Sequence, residues 1–160
     1  MSGVTPAELG GHAFLHGMAD RHLAAISRAC WVAPLRAGHR LFEEGGTAQR
    51  FWLLQSGQVA LDLHSPERRG LIVETLGPGD LVGLSWLVPP YQWQFGATAV
   101  QDSVAFELNA IAVRAACEED PVLGYALLRR VMSAASSRLH ATRVRLLDLY
   151  GAPGTGQDRP

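Results

Sequence analysis

Residues 76–103 read LGPGDLVGLSWLVPPYQWQFGATAVQDS, and between Asp80 and Asp102 they carry no charged side chain. The gap in positive charge is wider: no arginine lies between Arg69 and Arg114, and the chain has no lysine. By hydropathy alone, Leu81 to Gln101 is long enough to cross a bilayer. Gly83, Pro89, Pro90 and Gly96, with Gln92 and Gln94, interrupt any continuous apolar helix. The stretch therefore reads as a folded turn or pocket, not a membrane span, and what it can bind decides the function.

The 160 residues, 48% hydrophobic and 18% charged, suit one domain with a real core. A formal charge of −1 gives no general attraction for nucleic acid or anionic lipid. The amino terminus, MSGVTPAELG, has no basic region leading into an apolar core, so no signal peptide is expected and the chain is placed in the cytoplasm. Cys30 and Cys117 belong to no CxxC and read as two buried thiols in a reducing compartment, with a disulfide or redox switch as alternatives. His12 and His16 have a spacing that would suit a metal on a helix, but Gly17 interrupts that helix and no metal site is assigned. No nucleophile motif and no glycine-rich nucleotide loop is found, so the chain is not read as an enzyme.

Along the chain, residues 1–13 are small and glycine-containing and are expected to be flexible. In the stretch from Phe14, Asp20 is expected to cap a helix that carries Leu23, Ile26 and Cys30 on one side. After Pro34 the text turns to short apolar runs broken by turn residues. Phe51 to Leu54 is strand-like, and Val59, Leu61 and Leu63 alternate with Ala60, Asp62 and His64 as in a half-buried strand. SPERRG, residues 65–70, reads as a solvated hairpin loop. Leu71 to Leu76 is another strand, and strand signals resume at Ala97 to Ala99 and Val104 to Leu108. Gly45, Gly57 and Gly79 sit where hairpin turns want a positive φ. Short strands with such turns suggest a sandwich or roll.

Helical text returns with Asn109 as a cap, and Asp120-Pro121 opens a long helix over about 121–149, ended by Gly151. Along it Leu128, Val131, Ala135, Leu139, Thr142, Leu146 and Leu149 recur at three- and four-residue steps, like a coiled-coil seam. Packing on its own domain is the alternative. Pairing between subunits is favoured, because about 30 residues of helix reach ~45 Å, beyond one small roll. The tail, residues 150–160, reads as disordered.

This order of helix, β-roll, helix and long helix resembles the cyclic-nucleotide-binding domain of the catabolite-activator proteins and of the regulatory subunits of cyclic-AMP-dependent kinase. Leu41-Phe42-Glu43-Glu44-Gly45 is similar to one family turn, and Phe51 to Val59 to its strand–turn–strand signature. Leu76 to Gly83 resembles the entry to the phosphate-binding cassette, and Ala99 to Ser103 the strand that leaves it. The resemblance covers residues 14–149 and implies an α+β fold: an antiparallel β-roll, or double-stranded jelly roll, flanked by an amino-terminal helix and carboxy-terminal helices, the last a dimerisation helix.

The resemblance also implies a ligand site that this sequence lacks in part. The family's cassette acid, which holds the ribose hydroxyl, falls on Leu84, which accepts no hydrogen bond. Its phosphate-binding arginine falls on Trp93 or Gln94. A buried phosphate without a charged partner loses roughly several kcal/mol. Backbone N–H groups at a helix end return only about 0.3–2 kcal/mol. The degenerate cassette then comprises Gly83, Leu84, Ser85, Trp86, Trp93 and Gln94. Arg138 or Arg143 on the long helix could replace the missing charge, and Thr142 matches the region that touches the base in the family. Trp86, Tyr91, Trp93 and Phe95 either fill the pocket as core, stack on a ligand, or form a patch for a protein partner. The expected protein is a non-enzymatic regulatory module without a DNA-binding domain, a homodimer or bound to a protein partner. No cofactor is assigned. Weak binding of cAMP or cGMP through backbone amides and a helix arginine is one alternative, and a structural protein with an empty, packed pocket is another.

Overall fold

Alternating apolar residues and glycine turns build eight strands in the computed structural model, which describes residues 3–64, 66–67 and 70–151. They are β1 (Cys30–Leu35), β2 (Arg40–Phe42), β3 (Arg50–Ser56), β4 (Val59–Leu63), β5 (Leu71–Leu76), β6 (Leu81–Val82), β7 (Gly96–Ala99) and β8 (Ser103–Asn109). Two four-stranded antiparallel sheets result, in the orders β1-β8-β3-β6 and β2-β7-β4-β5. Helices α1 (Pro6–Gly10) and α2 (Asp20–Ser27), with a 3₁₀ turn at Ala13–Leu15, precede the roll. Helices α3 (Ala110–Glu119) and α4 (Pro121–Tyr150) follow it. The expected β-roll with flanking helices is the observed architecture. Among the described residues no helix is long and apolar enough to cross a membrane. The expected loop 65–70 lies partly, and the tail beyond Gly151 wholly, outside the described residues.

The three hairpin glycines have the positive φ that their turns require, 84° at Gly45, 90° at Gly57 and 91° at Gly79. At Gly57 space matters as well. A Cβ there would lie 2.0 Å from Ser103 Oγ, which accepts from the Gln58 N–H at 3.1 Å and donates to the Gln101 carbonyl at 2.8 Å.

Strand β4 departs from the half-buried pattern read from its alternation. Val59, Ala60, Leu61 and Asp62 are all buried. The second face is covered because Arg40 lies across it. Its guanidinium donates to both Asp62 oxygens, to Thr98 Oγ1 at 2.9 Å, and to both oxygens of Glu43 at 2.9 and 3.0 Å. A buried carboxylate held by a bidentate fork is compatible with a fully covered strand.

Flexibility is expected over 1–13, and within the described part of that stretch a short helix forms. Thr5 and Glu8 form a reciprocal capping box with Pro6 in the first turn, and Leu9 is fully buried. The glycines flank this short helix without preventing it. Asp20 does not cap α2; Ala19 holds that position without a side-chain bond, and Asp20 stands in the first turn, where a negative charge suits the helix dipole. Asn109 and Asp120 do cap α3 and α4 as read from the sequence. Both cysteines are free, Cys30 buried and Cys117 only half-buried.

One apolar core links these elements, from Val4 and Leu9 through both sheets to Leu123, Leu127 and Val131 of α4. His12 is a polar member of it. Its Nδ1 accepts from the Phe14 N–H at 3.1 Å, which leaves Nε2–H to donate to the Leu54 carbonyl at 2.8 Å. Burial lowers the pKa of this histidine below its ordinary value of 6.5, against the opposing pull of the Leu54 carbonyl and Asp80. The folded state thus binds the proton more weakly than the unfolded chain. The contribution is fully present above about pH 6.5 and is lost as pH falls toward and through the lower folded pKa, at no more than about 1.4 kcal/mol per pH unit. Urea unfolding between pH 7.5 and 5 is expected to show this loss in the native chain and a shallower slope in His12→Gln. Equal slopes in the two proteins would refute the assignment.

Candidate functional site

The cassette begins where β6 ends. Gly83 has φ +100°, outside what side-chain-bearing residues adopt readily. A Cβ on Gly83 would stand 2.7 Å from Cη2 of Trp93, so the indole ring lies directly on the bare glycine backbone. Trp93 is 5% exposed and stacks on Phe42 with ring centroids 3.9 Å apart, and Phe42 stacks in turn on Trp52 at 5.6 Å. Trp86 is fully buried and stacks on Phe51 at 3.8 Å and 7°. Among the described residues its Nε1 is buried without a hydrogen-bond partner. Leu84 and Ser85 are half-buried, and Gln94 is exposed. Phe95 and Tyr91 pack against the core.

The backbone around this aromatic cluster is pinned from two sides. The turn before β3 pairs with it: Gly45 N–H donates to the Trp93 carbonyl at 2.8 Å, Trp93 N–H to Gly46 at 2.8 Å, and Ala48 N–H to Tyr91 at 2.7 Å. From α3, Arg114 donates to the Trp86 carbonyl at 2.6 Å and to the Ala48 carbonyl at 3.3 Å, while its guanidinium sits 4.0 Å over the Tyr91 ring. Arg114 was not singled out from the sequence. It lies 28 residues beyond Trp86 and belongs to no cassette motif, so no local signal marks it.

On sheet β1-β8-β3-β6, Glu107 accepts from the indole N–H groups of Trp31 and Trp52, the latter at 3.0 Å, and from Arg50 at 3.3 Å. Trp31, Glu107 and Trp52 share one register across three strands, so the carboxylate fixes the tryptophan on which Phe42 stacks.

The long helix meets the roll through arginines. Arg138 donates to the Leu81 carbonyl at the cassette entry, and its Nε lies 3.9 Å from Glu74. Burial pushes the Arg138 guanidinium below its ordinary pKa, and Glu74 and Asp80 work the other way. Thr142 turns onto its own helix, donating to the Arg138 carbonyl at 2.9 Å. Arg143 is exposed, and Arg145 instead reaches the roll, donating to the Val73 carbonyl. Arg130 donates to the His16 carbonyl at 2.9 Å. Between this helix face, the 3₁₀ turn and the β5–β6 turn opens a cleft of about 820 Å³, whose walls include Arg138 but none of the other candidate cassette or helix residues.

Of the candidate seam residues, Val131 is 6% exposed and belongs to the domain's own core with Leu123 and Leu127. This corrects its assignment to the seam. The exposed stripe passes through its neighbour: Tyr125, Leu128, Met132, Ala135, Leu139, Thr142, Leu146 and Leu149, alternating steps of three and four. Met132 is 60%, Leu139 54% and Leu149 76% exposed, whereas Ala135 is half-buried.

Comparison with known proteins agrees with this geometry. The chain is 26% identical over 133 residues to the CRP-like cAMP-activated global transcriptional regulator of Mycobacterium tuberculosis, covering 83% of this chain and 58% of the relative. The chain thus spans a little over half the length of that relative. A solved structure from Geobacter metallireducens, assigned as a cyclic nucleotide-binding protein, superposes with a TM-score of 0.78 at 27% identity, covering 86% of this chain and 99% of that one. The Thermus thermophilus catabolite activator protein shares the fold with a TM-score of 0.65 at 23% identity, over 87% of this chain and 63% of that one. A family model of the cyclic nucleotide-binding domain matches residues 32–120. With over half the chain matched, and with the roll and cassette built as described, this protein belongs to the cyclic nucleotide-binding domain family.

Proposed function

We propose that this chain is a non-enzymatic regulatory module whose cassette is closed by its own aromatic side chains and which acts as a homodimer through α4. The observation that carries the reading is the indole of Trp93 seated on Gly83. A ligand phosphate drawn to the Gly83 backbone would have to displace that ring and its stack on Phe42. Nothing charged in residues 81–101 would then receive it, and Leu84 offers no acceptor for a sugar hydroxyl. The residues present therefore do not fit a cyclic nucleotide held in the family's usual way. The Mycobacterium tuberculosis relative is cAMP-activated, and the proposal parts from it on this chemistry.

Dimerisation is supported by the exposed three–four stripe on α4, which lies on a different side of the helix from the buried Leu123, Leu127 and Val131. A sustained spacing of this kind is what a two-helix seam requires. Thr142 and Ala135 within it are small or polar, and such members tune register at some cost in stability. Cytoplasmic location and a further protein partner belong to the same proposal.

Two measurements test it. In calorimetric titrations with cAMP and cGMP, no submicromolar binding is expected, and submicromolar binding of either would overturn the closed cassette. By light scattering at tens of micromolar, the chain is expected to have the mass of a dimer. Leu139→Glu is expected to give a monomer with the roll intact, and Leu147→Glu, exposed but outside the stripe, to remain dimeric. A monomeric native chain would refute the seam.

A further inference from the structure

Asp120 is the single residue between α3 and α4, and it serves both helices. Its N–H closes α3 on the Ala116 carbonyl at 2.9 Å. Its Oδ1 caps α4, accepting from the Val122 N–H at 3.1 Å and the Leu123 N–H at 3.4 Å. The turn is tight, since a Cβ on Gly124 would lie 3.3 Å from the Cβ of Cys117. The second oxygen, Oδ2, is 3.2 Å from Nε2 of His22 on α2, 98 residues away in sequence. His22 is 4% exposed. One buried ring therefore ties α2 to the joint of the two carboxy-terminal helices.

The same nitrogen lies 3.3 Å from Nε of Arg21. A guanidinium N–H only donates and a carboxylate only accepts, so Nε2 can satisfy one of these neighbours at a time. Carrying a proton, Nε2 donates to Asp120, and Arg21 finds no acceptor there. Without one, Nε2 accepts from Arg21 and turns a lone pair toward the carboxylate. In a neutral imidazole either nitrogen can hold the proton, whereas in the imidazolium Nε2 always carries it. The bond to Asp120 is then charge-assisted, roughly twice as strong as a neutral one.

Among the described residues, no other charged or titratable group on the elements packed against α2 bonds to this ring. Glu8 of α1 is held by Thr5, and Arg114 of α3 donates to the Trp86 and Ala48 carbonyls. Cys30 of β1 is a core residue, and Cys117 of α3 is half-buried. Asp20 and Arg28 on α2 and Glu118 and Glu119 at the end of α3 are exposed.

We infer that His22 is a proton-operated latch between α2 and the α3–α4 joint. Protonated, it holds Asp120; as it loses its proton, it accepts from Arg21 instead and loosens the first turn of α4. The latch goes beyond the proposed function, because neither the closed cassette nor the dimer stripe enters it. It acts on the helix that carries that stripe.

The test is amide hydrogen exchange at Val122 and Leu123 in the full chain, read by NMR and corrected for the intrinsic effect of pH on exchange. Protection is expected to be about fivefold greater at pH 5.5 than at pH 7.5. Asp120→Asn keeps a good cap but removes the charge, and the difference should fall below about twofold. His22→Gln should abolish it, and Asp120→Asn carries the test should the buried His22→Gln fail to fold. Arg21→Ala removes the competing donor and should raise protection at pH 7.5 to within about twofold of the value at pH 5.5. His12→Gln should leave the response as in the native chain. The inference is overturned by equal protection at the two pH values, or by greater protection at pH 7.5. A native-sized response in Asp120→Asn or Arg21→Ala, or its loss in His12→Gln, would also overturn it. Failure here leaves the calorimetric and light-scattering outcomes untouched, so the two readings fail separately.

Discussion

The indole of Trp93 rests on the bare backbone of Gly83, and the interior of the roll is arranged around that contact. With no Cβ at Gly83, the rim of the ring can approach to 2.7 Å of where one would be, while the ring stacks on Phe42. Phe42 then reaches Trp52, and Trp52 is held by Glu107. The turn before β3 follows the same column, since Gly45, Gly46 and Ala48 pair with the backbone of Trp93 and Tyr91. A segment without charge is thus stabilised by burial of large aromatic surfaces and by backbone hydrogen bonds, which together suffice only when the interior excludes water.

Around the cassette, positive charge enters from the helices. Arg114 on α3 and Arg130, Arg138 and Arg145 on α4 all donate to backbone carbonyls outside their own helices. The chain contains no lysine, and the choice is physically apt. A planar guanidinium is less strongly hydrated than an ammonium and can satisfy several carbonyls while stacking on a ring, as Arg114 does over Tyr91. Carbonyl partners hold the helices in place but leave the cations without full compensation.

Strands β3, β4, β5, β7 and β8, their glycine turns and the capped carboxy-terminal helices were legible because each rests on local signals: alternation, a positive-φ glycine, an Asn or Asp before a helix. Strand β1 was not, and Cys30, read with the preceding helix, opens it. The capping box Thr5–Glu8 was equally local but was obscured by flanking glycines. The choice between Val131 and Met132 was not legible. A three–four repeat tolerates either residue until the position of the roll against the helix is known. The chemistry missing from the cassette could be read directly from Leu84 and the absent arginine. What fills the cassette could not, because Trp93 meets Gly83 and Phe42 only after two sheets have closed. Arg145 and Val73 are 72 residues apart, and no spacing rule connects them.

The closed cassette is tested most directly by a double-mutant cycle at positions 83 and 93. Gly83→Ala should destabilise the native chain by about 2–4 kcal/mol, from its backbone conformation and from the collision with the indole. In a Trp93→Leu background the collision is gone and only the backbone cost remains. Unfolding free energies of the four proteins are predicted to be non-additive by about 1 kcal/mol or more. Additivity within about 0.5 kcal/mol would mean that the Trp93 ring does not lie on Gly83, and would contradict the account.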